Sequence, residues 1–92
     1  MIRLFLGPRF VRSAQRLSAE DRQKVENALV EVMEHFGEPH RHAGLGLRKL
    51  SSGLWECRVG LVLRVVLLQE PDRLRAYDLM THNELRAWLK HH

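Results

Sequence analysis

The chain has 92 residues, 45% hydrophobic and 28% charged, a balance that describes one small folded domain over residues 1–92 and excludes a disordered segment. Lys and Arg outnumber Asp and Glu by 15 to 11, a net charge of +4, carried by twelve arginines against Lys24, Lys49 and Lys90. No apolar run approaches the ~20 residues of a membrane span, and Cys57, the only cysteine, excludes an intrachain disulfide and a multi-cysteine zinc site.

The N-terminus has no long apolar stretch with a small-residue cleavage site, so the expected compartment is the cytoplasm. Arginine suits phosphate and carboxylate forks, but a GC-rich genome would enrich it too, and composition does not choose between them. The charge is uneven. Residues 1–18 hold Arg3, Arg9, Arg12 and Arg16 and no acid, residues 19–38 are acidic, and residues 39–64 hold five bases against Glu56 alone.

In chain order, Ile2 to Leu6 reads as a short strand, broken by Gly7-Pro8. Phe10, Ala14 and Leu17 then fall at i, i+4 and i+7, a short amphipathic helix entered at Pro8. Ser18, with Asp21 three residues on, opens a second helix. Its apolar stripe is Val25, Ala28, Leu29, Val32, Met33 and Phe36, and Gly37 and Pro39 end it. The two helices form an antiparallel hairpin. Residues 40–46, with Gly44 and Gly46, read as a loop. Leu54 to Val59 is a strand. Leu61 to Gln69 is a second, β-branched and Leu-rich strand at the sheet centre, and Glu70-Pro71-Asp72 supplies a turn. Leu74 to Met80 is a further strand. Thr81 with Glu84 is another capping-box signature, opening a last helix with Leu85, Trp88 and Leu89 on its apolar side.

The order is β-α-α-β-β-β-α, an α+β class. Short links favour antiparallel pairing. The expected architecture is an antiparallel-rich twisted sheet, with the helices, led by the N-terminal hairpin, on one face and a short helix at the C-terminus.

Arg58 and Arg64 lie on adjacent strands and share a face if the alternation holds across Gly60. Glu56 has the same parity. They form either a solvated face with a Glu–Arg pair or an anion site. Arg64 interrupts an apolar strand, so it must be paired or face a ligand. His82 follows the N-cap Thr81, where free N–H groups and the helix dipole favour an anion; it reads either as a surface residue or as an acid–base group. Arg48 and Lys49, with His40, Arg41 and His42, form a second basic cluster or a solvated loop. Trp55 and Trp88 read as core, and Tyr77 is open to base stacking. Cys57 alternates away from Arg58 and reads as a packed thiol.

Four segments in this order and spacing resemble the RelE/ParE superfamily of toxin–antitoxin toxins. They are Arg48-Lys49-Leu50, Gly53-Leu54-Trp55-Glu56-Cys57-Arg58-Val59, Leu63-Arg64-Val65-Val66 and Met80-Thr81-His82-Asn83-Glu84-Leu85. Phe10 to Leu17 and the long helix after it also resemble the family's opening. The Thr81–Leu85 ending is similar to the YafQ-type branch, where a Thr-His-Ser-x-Leu motif supplies a catalytic His. Arg58 stands where that branch has a second catalytic His, and Val62 where it has an Asp. Leu63-Arg64-Val65-Val66 instead resembles RelE proper, which supplies a catalytic Arg there.

The resemblance implies a metal-independent mRNA endoribonuclease acting at the ribosome, by attack of a ribose 2′-OH on the adjacent phosphate, with no cofactor. It implies His82 for proton transfer, Arg58 and Arg64 for transition-state charge, and Arg48 and Lys49 for holding the RNA backbone; Arg41 of the basic cluster and Tyr77 are the further substrate-binding candidates. The implied partners are a cognate antitoxin, mRNA and the ribosome, and no membrane. A ParE-like gyrase-inhibiting toxin and a non-catalytic basic interaction domain on the same fold remain alternatives. Inhibited supercoiling would mark the first, and absence of toxicity without a partner the second.

Overall fold

The computed structural model describes residues 1–91. Along them run β1 (Arg3–Leu6), α1 (Pro8–Gln15), α2 (Ala19–His35), α3 (Pro39–His42), β2 (Leu47–Ser51), β3 (Leu54–Val59), β4 (Leu63–Gln69), β5 (Arg73–Thr81) and α4 (His82–Leu89). The strands form one sheet in the order β1-β5-β4-β3-β2. β1 runs parallel to β5, and every other neighbouring pair is antiparallel.

Local chemistry sets the helix starts. The Gly7 N–H donates to the Ala76 carbonyl at 2.9 Å. A Cβ on Gly7 would stand only 2.9 Å from that same oxygen, so the chain needs glycine to pass from β1 into α1 against β5. Ser18 caps α2 by accepting from the Asp21 N–H. Val25, Leu29 and Val32 of its stripe are buried. Thr81 and Glu84 close a full capping box at α4, each bond satisfying an otherwise orphaned N–H.

β4 is the sheet centre, as its composition predicts. Arg64, Val65, Val66 and Leu67 are all buried, because both faces are covered. On one face Phe10, Val25, Leu29 and Val32 of the helical hairpin pack on Cys57, Val59, Val65, Leu67, Leu74 and Ala76. On the other, Leu85 of α4 packs on Val66 and Met80. A bulge in β5 serves both layers. The register moves from Val66↔Asp78 to Leu67↔Ala76 and leaves Tyr77 extra. Ala76 and Leu79 thereby join the hairpin-side core, while Tyr77 and Met80 join the α4 side.

The structure corrects the expected order in several places. β2 forms where the sequence assigned no element, and α3 falls largely within residues that read as loop. β2 hides because its two leucines serve opposite faces, Leu47 the hairpin core and Leu50 the α4 cluster. Three residues apart, they alternate to opposite faces, so neither face shows an apolar repeat that would reveal a strand. α3 is a single turn, Pro-His-Arg-His, with no apolar period to read. The helices do not share one face, since α4 takes the other. β1 is parallel to its neighbour, because it pairs with the last strand and link length says nothing about that pairing. β4 starts at Leu63: Gly60, at φ +63°, Leu61 and Val62 form the turn from β3, and both Leu61 and Val62 are exposed. Among the described residues no helix is long and apolar enough to cross a membrane.

Candidate functional site

The α4 side of the sheet carries the charge. Arg58 and Arg64 are direct register partners across β3 and β4. Cys57, Val59 and Val65 beside them face the hairpin core, so alternation turns both arginines to the opposite face. Glu56 shares that face, and β2 brings Arg48 opposite it. The Arg48 guanidinium meets the Glu56 carboxylate at 3.4 Å. Gly46, at φ +72°, would place a Cβ only 3.0 Å from the Arg58 carbonyl, so only glycine lets the chain run flush beside Arg58. At the far side the His82 N–H donates to the Val62 carbonyl at 2.9 Å. This bond ties the first turn of α4 to the β3–β4 turn.

These elements enclose an open pocket of about 390 Å³ lined by Gly46, Arg48, Glu56, Arg58, Arg64 and His82. Three guanidiniums face one carboxylate. Arg64 is only 8% exposed and has no carboxylate partner among the described residues. Its Nη1 donates to the carbonyls of Leu63 at 2.9 Å and Leu61 at 3.4 Å. Arg58 is exposed, and its side chain makes no hydrogen bond or ion pair among the described residues. Burying a guanidinium costs free energy that carbonyl dipoles offset only in part. The pocket is therefore electropositive, with forked donors open to an anion. His82 stands at the positive end of the α4 dipole, and Glu56 supplies a carboxylate within the same pocket.

The sequence reading and the structure differ on Glu56. It is buried against Arg48 and is not the partner of Arg58. The usable signal was an acid of the same parity as Arg58, flanked by core positions. Of the remaining predicted site residues, Arg48 lines the pocket, whereas Lys49, Arg41 and Tyr77 do not. Lys49 is the register partner of Trp55, which packs on the hairpin side. Arg41 lies in α3, 3.2 Å from His35 Nε2. His35 in turn hydrogen-bonds Glu38, holding that carboxyl below its usual range, with Arg41 and His40 adding to the effect. Tyr77 packs against Trp88 at 5.7 Å between ring centroids. Cys57 is fully buried, as expected, and burial above all, with the charges of Glu31 and Glu56, pushes its thiol up to about 11. Among the described residues no cluster of three His, Cys, Asp or Glu side chains is placed to hold a metal ion.

The backbone has close counterparts among solved structures. YafQ in the Escherichia coli DinJ–YafQ toxin–antitoxin complex superposes with a TM-score of 0.67 at 11% identity, covering 91% of this chain and 96% of that one. The YoeB/ParE toxin from Agrobacterium tumefaciens gives 0.66 at 21% identity, covering 88% and 99%. The RelB–RelE antitoxin–toxin complex from Methanococcus jannaschii gives 0.65 at 12% identity, covering 91% and 96%. This is the RelE-like toxin fold. No family model and no curated protein matches the sequence, and the likeness to the solved structures is one of backbone fold. It covers nearly all of this chain and of each counterpart.

Proposed function

We propose that this chain is the toxin of a type II toxin–antitoxin pair and a metal-independent endoribonuclease that cuts mRNA at the ribosome. One observation carries the reading: Arg48, Glu56, Arg58, Arg64 and His82 converge on one electropositive pocket. Cleavage of RNA by its own 2′-OH needs those chemical types. The 2′-oxygen attacks the adjacent phosphorus and gives up its proton to a base. The P–O5′ bond breaks, and an acid protonates the leaving 5′-oxygen. The products are a 2′,3′-cyclic phosphate and a 5′-hydroxyl. His82 and Glu56 are the proton-transferring groups at hand. Arg58 and Arg64 stabilise the added negative charge on the phosphoryl oxygens. Arg48 orients Glu56 and adds a backbone contact. Lys49, Arg41 and Tyr77 stand outside the pocket and receive no role in it.

The RelE and YafQ counterparts were solved with antitoxins, which supports an antitoxin partner for this chain. The test is primer extension on cellular mRNA after induction, comparing wild type with His82→Ala and Arg64→Ala. Discrete cuts and growth arrest are expected from wild type alone. Unchanged cuts in both variants sink the site assignment. Inhibited gyrase supercoiling without RNA cleavage would favour the ParE-like alternative.

A further inference from the structure

A second cationic pocket lies outside the site described above. Arg9, Arg12 and Arg16 fall at i, i+3 and i+7 and share one face of the helix that begins at Pro8. At 1.5 Å per residue they span about 10 Å of helix axis. All three are exposed. The side chains of Arg12 and Arg16 make no hydrogen bond or ion pair among the described residues. Arg9 has only the Tyr77 ring, 5.8 Å from guanidinium to centroid. With the end of β5 and α4 these arginines line a pocket of about 420 Å³.

Two carboxylates border this pocket, and both are committed elsewhere. Asp78 Oδ1 accepts from Ser13 Oγ at 2.8 Å and from the Leu79 N–H at 2.7 Å. Glu84 Oε1 accepts from the Thr81 N–H at 2.8 Å. Neither pairs with an arginine, so the pocket stays cationic. The helix dipole accounts for Arg12 and Arg16 near the C-terminal end of α1, but it disfavours Arg9 in the first turn. Three like charges on one face also repel one another. An external polyanion removes both penalties.

The placement identifies the polyanion. β1 pairs with β5 only as far as Ala76, which leaves the rest of β5 beside α1. Met80, which lines the second pocket, is the register partner of Arg64 in the first. His82 lines the first pocket, and Glu84, in the same helical turn, lines the second. The two pockets thus flank the β5–α4 junction. A strand held at Arg58, Arg64 and His82 meets the arginine stripe on passing round the first turn of α4. The geometry points to Arg9, Arg12 and Arg16 as an RNA-backbone subsite that holds about two or three phosphates flanking the cleaved one. This inference rests on the proposed ribonuclease reading.

The test uses the full chain and a fluorescent RNA of about twelve nucleotides with methylated 2′-oxygens, which cannot be cut. Anisotropy is measured across a salt series. R12A/R16A should weaken binding by roughly tenfold near 0.1 M salt and flatten the log–log salt slope by about 1.4, two phosphates at ~0.7 each. R12K/R16K should restore the slope. Alanine favours helix and the buried Phe10 is untouched, so circular dichroism should be unchanged. Affinity and slope unchanged in R12A/R16A overturn the subsite. So does tighter binding of an acidic peptide that alone depends on the stripe. If instead the salt slope responds while His82→Ala and Arg64→Ala leave cleavage intact, the stripe stands and the catalytic assignment falls.

Discussion

Arg64 offers the sharpest separation of chemistry from architecture. It is 8% exposed in the central strand, with no carboxylate partner among the described residues, a costly place for a charge. Replacing it with Met keeps the length and most of the volume while removing the charge. The substitution forfeits hydrogen bonds from Nη1 to the Leu63 and Leu61 carbonyls at 2.9 and 3.4 Å. Hydrogen bonds involving charged groups are worth roughly 1.5–3 kcal/mol each, and the longer one sits at the weak end. Against that loss stands the desolvation of a buried guanidinium, several kcal/mol, together with the apolar area that Met buries on the α4 side. The terms nearly cancel, so R64M should change stability by about 1 kcal/mol or less, a melting shift within roughly 4–8 °C for a domain of this size. Cleavage should nevertheless fall by about 10²–10³, the cost of removing one preorganised donor to developing charge. Thermal denaturation and single-turnover cleavage of a labelled RNA measure the two effects on one preparation. A melting point lowered by ~15 °C or more, with cleavage by the folded fraction within a few-fold of wild type, would refute the reasoning and make Arg64 a structural residue.

Other outcomes follow from the same contacts. Thr81→Ala removes the acceptor of the Glu84 N–H and should cost about 1 kcal/mol by denaturation. It should also lower cleavage more than that loss accounts for, because His82 is the next residue. Cys57 has a thiol pKa raised from 9.0 to about 11. Its neutral form is favoured in the folded chain, so this stabilisation is complete below pH 9 and is lost as the pH climbs towards 11. Native protein at pH 8 should react with a thiol reagent only after unfolding, and rapid labelling would contradict this burial. Glu70 is held below its usual range by hydrogen bonds first from Arg73 and then from Arg75. Its contribution is therefore present above the unfolded value of 4.5 and is lost as pH falls below it. Glu70→Gln should flatten the acid limb of the stability profile, and an unchanged limb would show that other carboxylates set it.

Much of this molecule is legible one element at a time. The capping residues Ser18 and Thr81, the stripe Val25, Leu29 and Val32, and the shared face of Arg58 and Arg64 on either side of Gly60 all follow from local spacing. Helical and strand periods act over a few residues, and a cap is satisfied within one turn. The sequence alone thus determined the α+β class, the central strand and the face that presents Arg58 and Arg64.

Only the tertiary structure decided the rest. Leu47 and Leu50 point to different layers, so β2 became visible only once both layers existed. The parallel register of β1 with β5 joins residues separated by most of the chain, and no local rule reaches that far. The partner of Glu56 depended on β2, since Arg48 lies opposite it only when that strand is in place. Packing α1 beside the end of β5 that β1 leaves uncovered turned three of the four arginines in the acid-free residues 1–18, Arg9, Arg12 and Arg16, from a composition bias into a stripe facing a pocket. The net charge of +4 was visible at the outset. Its division into two adjacent cationic pockets was not, because charges distant along the chain come together only through packing.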